Sequence, residues 1–369
     1  MNQDSAARSY RSEAHQKPAE YRCDPGMQST GGSFEPAFRN AHFMTLVSRY
    51  WPRNGLLKDI PYESRLFTVE PGTQLLGLCH WQPDREACPT VILIHGLEGC
   101  SESHYMRGIG EKAYRAGSNV IRMNQRTCGG TEHLTPTLYN GGLSRDYRAI
   151  MHELASQDGL ERLFLVGYSM GGNLVLKAAG ELHRSLPALA GVVAVCPAIN
   201  PTVCFRELEE PRHWFYHRHL LTGLKARLRR KATLFPGLWD LGGLAGITRI
   251  SDFDNQYTAP DGGYRDAADY YDRAGACHVI EGIEVPTLII TAKDDPLIPY
   301  AMFTTPQVQR HSYITLIAPT NGGHCGFFQW ARNGEDSYWA ENRIVEFVKN
   351  RRSVVSMAGT FTTSYSSVA

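Results

Sequence analysis

An apolar run at residues 163–166 (LFLV) feeds directly into Gly167-Tyr168-Ser169-Met170-Gly171, and a helical pattern (GNLVLKAAGEL) opens at Gly172. Few folds accommodate that juxtaposition. A buried strand must turn into a helix within about one residue, which crowds the turning residue's neighbours, so glycine is needed on either side. The same turn lifts the Ser169 hydroxyl out of the backbone and sets it at a helix N-terminus, where the dipole favours negative charge. A strand that enters a helix this abruptly belongs to a βαβ unit, and such units build parallel sheets covered on both faces.

The rest of the chain keeps that rhythm. Residues 65–70 and 74–80 read as a hairpin around Pro71-Gly72, and 91–95 (VILIH) as a buried strand running into Gly96. A helix is predicted over 103–116, stopped by Gly117, and strands at 119–124, 189–196, 287–291 and 314–318. Helical patterns occupy 146–156, 172–182 and 340–350. This is an α/β architecture: a mostly parallel central sheet with helices on both faces. The stretch from about 200 to 262 has no good strand and is rich in aromatics and arginine, as a helical cap inserted between two sheet strands would be. Residues 1–35 hold few aliphatics and read as a flexible leader; 353–369 are Ser/Thr-rich and aperiodic and read as a flexible tail. One domain over 36–352 remains.

Charge and cysteine usage narrow the function. The 38 Lys and Arg against 37 Asp and Glu leave a net charge of +1, which excludes a general nucleic-acid binder. The nine cysteines are odd in number and never form C-x-x-C, so neither a disulfide framework nor a structural zinc site is expected. A reducing, cytoplasmic setting follows. The first residues (MNQDSAARSYRSEAH) lack an apolar core for a secretory signal. The uncharged run 186–199 is too short, and too broken by Pro187 and Pro197, to span a bilayer. No P-loop, dinucleotide fingerprint or metal-ligand spacing is present, so no cofactor and no metal are expected.

A serine nucleophile needs a base to take its proton and a carboxylate to orient that base. The carboxylate candidates are Asp294 and Asp295, in the loop following the strand 287–291. Asp295 is preferred because Pro296-Leu297-Ile298-Pro299 suits the turn after the acid; Asp294 stays an alternative, and the unused one is expected to be a solvated turn carboxylate. The base candidate is His324 in the glycine-flanked loop Asn321-Gly322-Gly323-His324-Cys325-Gly326-Phe327. The Gly turn of His95-Gly96-Leu97-Glu98-Gly99 can aim a backbone N–H at an acyl oxygen, so the N–H groups of Leu97 and Met170 are assigned to an oxyanion hole. His95 reads as a structural residue of that turn. Cys128, with His133 nearby, reads as a packed cysteine rather than a nucleophile.

Several motifs in one order give a resemblance over residues 36–350. They are Asn40-Ala41-His42 with Thr45, HGLEG at 95–99 followed by Ser101, Ser103 and Tyr105, and Asn124-Gln125-Arg126-Thr127-Cys128-Gly129. Leu138-Tyr139-Asn140-Gly141 with Asp146, GYSMGGN at 167–173 with Leu176-Lys177, AKDDP at 292–296 and GGHCGF at 322–327 complete the set. The chain resembles the YheT-like family (family 4) of α/β-hydrolases. Many relatives read R-G-C where this chain has Arg126-Thr127-Cys128. The resemblance implies a serine hydrolase of carboxylic esters, some relatives being phospholipases or acyltransferase-like, and hence a small-molecule or lipid ester as partner. A serine peptidase or amidase would use the same triad, and a binding protein with a vestigial site the same fold.

Residues 205–231 carry eight Arg and Lys against three Glu, a local +5 that leaves −4 elsewhere. Leu220, Leu221, Leu224 and Leu228 fall at helical spacing. The segment is expected to be a cap helix with its leucines on the core and its charges in water. The sharper expectation is an amphipathic lid making peripheral contact with anionic lipid.

Overall fold

The computed structural model describes residues 33–358, so most of the expected leader and tail lie outside the described residues. Eight strands form one sheet: β1 Glu63–Glu70, β2 Thr73–His80, β3 Thr90–Ile94, β4 Asn119–Met123, β5 Leu163–Tyr168, β6 Leu189–Val195, β7 Thr287–Ile290 and β8 Ile314–Ile317. Their spatial order is β1-β2-β4-β3-β5-β6-β7-β8. The β1–β2 hairpin turns on Gly72 at φ +74° and pairs antiparallel with β4, and every pairing from β4 to β8 is parallel. Every residue of β3, β4 and β5 is buried, which is why these strands read as unbroken apolar runs.

Helices α2 (His104–Arg115), α3 (Ser144–Gln157) and α4 (Met170–Leu182) return the chain between successive parallel strands. The pairs α3 with α4, and α2 with the closing helix Trp339–Ala358, cover the sheet. One apolar core runs through these layers, from Phe67 to Val348. All these strands fall within a few residues of the sequence reading. The closing helix runs beyond the expected 340–350 as far as Ala358, because extending a helix already docked through Phe347 and Val348 costs little.

Two features depart further. Helix α1 (Ala41–Tyr50) was not expected; Asn40 caps it, its side-chain oxygen accepting the Phe43 N–H at 2.9 Å. Within the stretch expected to be leader, Phe34 packs edge-on against Phe327 at 5.9 Å between ring centres and tilts against Trp339 at 5.2 Å.

Between β6 and β7 the described residues contain no strand. Helices α5 (Pro201–Leu208) and α6 (Trp214–Leu234) lead this segment, followed by short turns and the helix Ala267–Ala274. It has its own apolar cluster, in which Leu221, Leu224 and Leu228 meet Ile250 and Phe253, and which reaches the main body through Tyr139 and Met170. The leucines therefore face inward as expected, but not all charges face water. Arg227 is 6% exposed and Lys231 is fully buried. Lys231 donates to the carbonyls of Glu132 and Thr135, and Arg227 is ion-paired with Glu98 at 3.1 Å. Buried cations persist where acceptors wait for them, and here both acceptor sets belong to distant loops.

Candidate active site

Ser169 stands between the last residue of β5 and the first of α4, with φ +55° and ψ −117°. A side chain pays strain in that region, which persists only when its surroundings enforce it. They do: a Cβ on Gly167 would lie 2.1 Å from the Gly171 carbonyl oxygen, and one on Gly171 would lie 2.4 Å from that of Ile94. Both glycines of the sequence motif are therefore required by contact. The Ser169 hydroxyl oxygen lies 3.0 Å from His324 Nε2. On the other side of the ring, Nδ1 lies 2.9 Å and 3.2 Å from the two carboxylate oxygens of Asp295. The Asp295 side chain has no exposed surface and also accepts the N–H groups of Leu297 and Ile298, at 2.8 Å and 3.0 Å. Burial disfavours a charged imidazole, but the Asp295 carboxylate against Nδ1 outweighs it and holds the His324 pKa above the ordinary histidine value.

The loop carrying His324 is held from two sides, neither of them foreseen. Thr45 of α1 accepts the His324 backbone N–H at 2.8 Å while its hydroxyl donates to the Ala41 carbonyl. Gly323, at φ +60°, lets the loop pass so near α1 that a Cβ there would sit 2.5 Å from the Ala41 oxygen. Asp294 is not a solvated turn carboxylate: it accepts the Gly323 N–H at 3.0 Å and the Asn321 side-chain amide at 3.2 Å. The two neighbouring aspartates thus divide the work, Asp295 on the imidazole and Asp294 on the loop that carries it.

Leu97 and Met170 line the same cavity as Ser169 and His324, a space of about 580 Å³. Neither backbone N–H has an intramolecular acceptor among the described residues. The turn bearing Leu97 is fixed on both sides. The Tyr105 hydroxyl accepts the Gly96 N–H at 3.0 Å, and the Tyr139 hydroxyl both accepts the Glu98 N–H at 3.2 Å and donates to its carboxylate at 2.7 Å. His95 is wholly buried, bonds the Gly96 carbonyl through Nδ1, and accepts the Gln125 N–H at Nε2; burial drives its pKa down to about 4. It is a neutral structural residue, as its sequence context indicated. Cys128 is buried against Arg227, and burial pushes its thiol up to about 12. Next to it, Thr127 takes φ +63°, and its hydroxyl is buried without a partner among the described residues. Arg126 forms a bidentate pair with Asp146 at 2.6 Å and 2.7 Å. One proximity is invisible in the sequence: ligand atoms of Cys196, His324 and Cys325 lie within 4.8 Å of one another.

A family profile for the alpha/beta hydrolase fold matches residues 89–329, which span β3 to the His324 loop and so include Ser169, Asp295 and His324. The chain belongs to the α/β-hydrolase family. Its YheT-like branch is marked by the Escherichia coli (strain K12) protein YheT, which carries an esterase designation. The two are 30% identical over 324 residues, covering 87% of this chain and 94% of that one. A mouse phospholipase, ABHD3, is 27% identical over 252 residues, covering 68% of this chain and 61% of its own length. Among solved structures, a Pyrobaculum calidifontis esterase shares the fold with a TM-score of 0.53 at 19% identity, covering 84% of this chain and 91% of its own. By this kinship the α/β-hydrolase described here is an enzyme of the esterase and lipase type. Among the described residues no helix is long and apolar enough to cross a membrane.

Proposed function

We propose that this α/β-hydrolase cleaves carboxylic esters with lipid-like acyl groups, through Ser169, His324 and Asp295 and a covalent acyl-enzyme. The reading rests on one observation, the continuous hydrogen-bonded path from Asp295 through His324 to Ser169. The Ser169 hydroxyl attacks the acyl carbonyl while His324 Nε2 takes its proton, and Asp295 stabilises the imidazolium that forms. The oxyanion of the tetrahedral intermediate accepts from the Leu97 and Met170 N–H groups. Collapse expels the alcohol, which receives the proton from His324. Water then repeats the sequence on the acyl-enzyme and frees the acid and Ser169.

The lipid-like acyl group is supported by the cavity wall, where Leu46, Leu208, Leu220, Leu297 and Ile298 surround the polar triad. Two of these residues, Leu208 and Leu220, come from the segment between β6 and β7, which we assign as a cap that shapes the acyl site. A panel of p-nitrophenyl esters of increasing acyl length, run beside amino-acid anilides, tests the reading. The expected result is ester turnover that Ser169→Ala abolishes; preferential cleavage of the anilides would replace the ester assignment with an amidase one.

A further inference from the structure

Ten large apolar or aromatic side chains stand exposed among the described residues, and six of them gather at one place. Phe43, Tyr50 and Trp51 come from α1 and its end, Trp214 and Phe215 from the start of α6, and Trp330 from the loop after the His324 turn. These segments are far apart in sequence but joined in space. His42 of α1 stacks on Tyr216 of α6 with ring centres 5.8 Å apart, its Nδ1 lying 3.2 Å from the tyrosine hydroxyl. Trp51 meets Trp330 edge-on at 5.8 Å, and Phe38 links Phe43 at 4.8 Å to Trp330 at 5.7 Å. Tyr50, 71% exposed, and Phe215, 55% exposed, also line the cavity that holds Ser169 and His324. The exposed rings thus form a collar at the cavity's mouth.

Three exposed arginines sit within the same segments. Arg39, Arg49 and Arg218 have no carboxylate within ion-pair distance among the described residues, whereas Arg212 is paired with Glu207. Contiguous exposed apolar patches are uncommon on a protein that faces only water. Aromatic rings interleaved with unpaired arginines suit the headgroup region of a bilayer, where rings sit at the polar–apolar boundary and cations meet anionic lipid.

We propose that this collar is an interfacial docking surface for anionic lipid membranes, which seats the cavity mouth on the bilayer so that an acyl chain enters from the lipid phase. The proposal rests on the lipid-ester reading above and moves the membrane contact away from where charge alone would put it. Much of the basic second half of α6 is engaged within the protein: Arg227 and Lys231 point inward, Lys225 donates to the Ile247 carbonyl and Arg230 is paired with Glu132 at 2.7 Å, which leaves Arg229 exposed.

Flotation of the full chain with vesicles of phosphatidylcholine containing phosphatidylglycerol, at low and high salt, tests it. Two variants are compared with wild type: Trp214→Ser/Trp330→Ser and Arg39→Glu/Arg218→Glu. None of these four residues lines the cavity, so turnover of a soluble short-chain ester stays at the wild-type level and reports folding and the triad independently. Wild type is expected to co-float with anionic vesicles at low salt, more weakly with pure phosphatidylcholine. The arginine variant is expected to lose more than about 30-fold in partitioning, the loss of two interfacial cations alone giving that factor and the two new carboxylates adding repulsion from the anionic lipid, and the tryptophan variant to lose binding to both lipids. No co-flotation of wild type, or equal co-flotation of all three proteins, would overturn the proposal. Failure of ester turnover with intact flotation would instead strike the catalytic reading and leave the docking surface standing.

Discussion

The Arg227–Glu98 pair ties α6 to the turn that carries the Leu97 N–H, and its loss has a calculable cost. The charges are 3.1 Å apart, with side chains only 8% and 11% exposed. At an effective dielectric constant of about 20 their attraction is about 5 kcal/mol. Removing one partner from such a pair strands the other without water, typically costing about 3–5 kcal/mol. In Arg227→Met the Glu98 carboxylate keeps only the Tyr139 hydroxyl, and the guanidinium stacked 4.6 Å over the Tyr139 ring is gone as well. Glu98→Gln alone leaves Arg227 facing a neutral amide. The double variant Glu98→Gln/Arg227→Met removes both charges and is expected to recover about 2 kcal/mol relative to the sum of the single losses. Urea denaturation of the four proteins measures that coupling. Arg227→Met should also lower kcat more than it raises KM, because the turn it steadies carries the Leu97 N–H, which we propose acts on a charge that exists only in the transition state. Singles that add to the double within about 0.5 kcal/mol would refute the reasoning, as would an Arg227→Met protein as stable as wild type.

Other consequences follow from the same geometry. Asp295→Asn should cut kcat by about 10⁴-fold and move the acid limb of the kcat/KM profile down, since that carboxylate holds the His324 pKa above its ordinary value and the base works only when neutral. Asp294→Asn should leave the position of that limb unchanged and cost far less, acting only through the loop. Thr127→Gly should raise stability by about 1 kcal/mol, because it relieves a β-branched residue at φ +63° and removes an unpaired buried hydroxyl; chemical denaturation reads it directly. Asp254 is fully buried with its carboxylate accepting the Tyr271 hydroxyl at 2.6 Å, and burial raises its pKa from 3.8 to about 6. The folded state therefore holds a proton that the unfolded state releases. This stabilisation is complete below about pH 4 and is lost as pH rises through 6, a loss of up to about 3 kcal/mol. Asp254→Asn should flatten that fall in a series of melting curves between pH 4 and 8.

The parts of this molecule legible in its sequence are those set by local rules. Strands β3 to β7 are buried on both faces, so they announce themselves as apolar runs, and the glycines around Ser169 are demanded by contacts within a strand and the helix it enters. Loop position then points to His324 and to the Asp294–Asp295 pair. What stayed hidden depends on partners far along the chain. Nothing near Thr45 reveals that it holds a backbone N–H 279 residues away. Composition puts Arg227 and Lys231 in water, and only the positions of Glu98, Glu132 and Thr135 in space bring them inside. Asp294 and Asp295 differ by which way one turn points them, a choice made by the Gly323 amide and the His324 ring together. The collar of exposed rings is assembled from three segments, one of which, α1, has no counterpart in the sequence reading.

The central claim is that Ser169 is a nucleophile activated by His324. Reaction with a fluorophosphonate, followed by peptide mass mapping, tests it without any assumption about the natural ester. A single phosphonyl adduct is expected on Ser169, absent in Ser169→Ala and formed more slowly by a large factor in His324→Ala. An adduct on another residue, or equal labelling of wild type and Ser169→Ala, would contradict it.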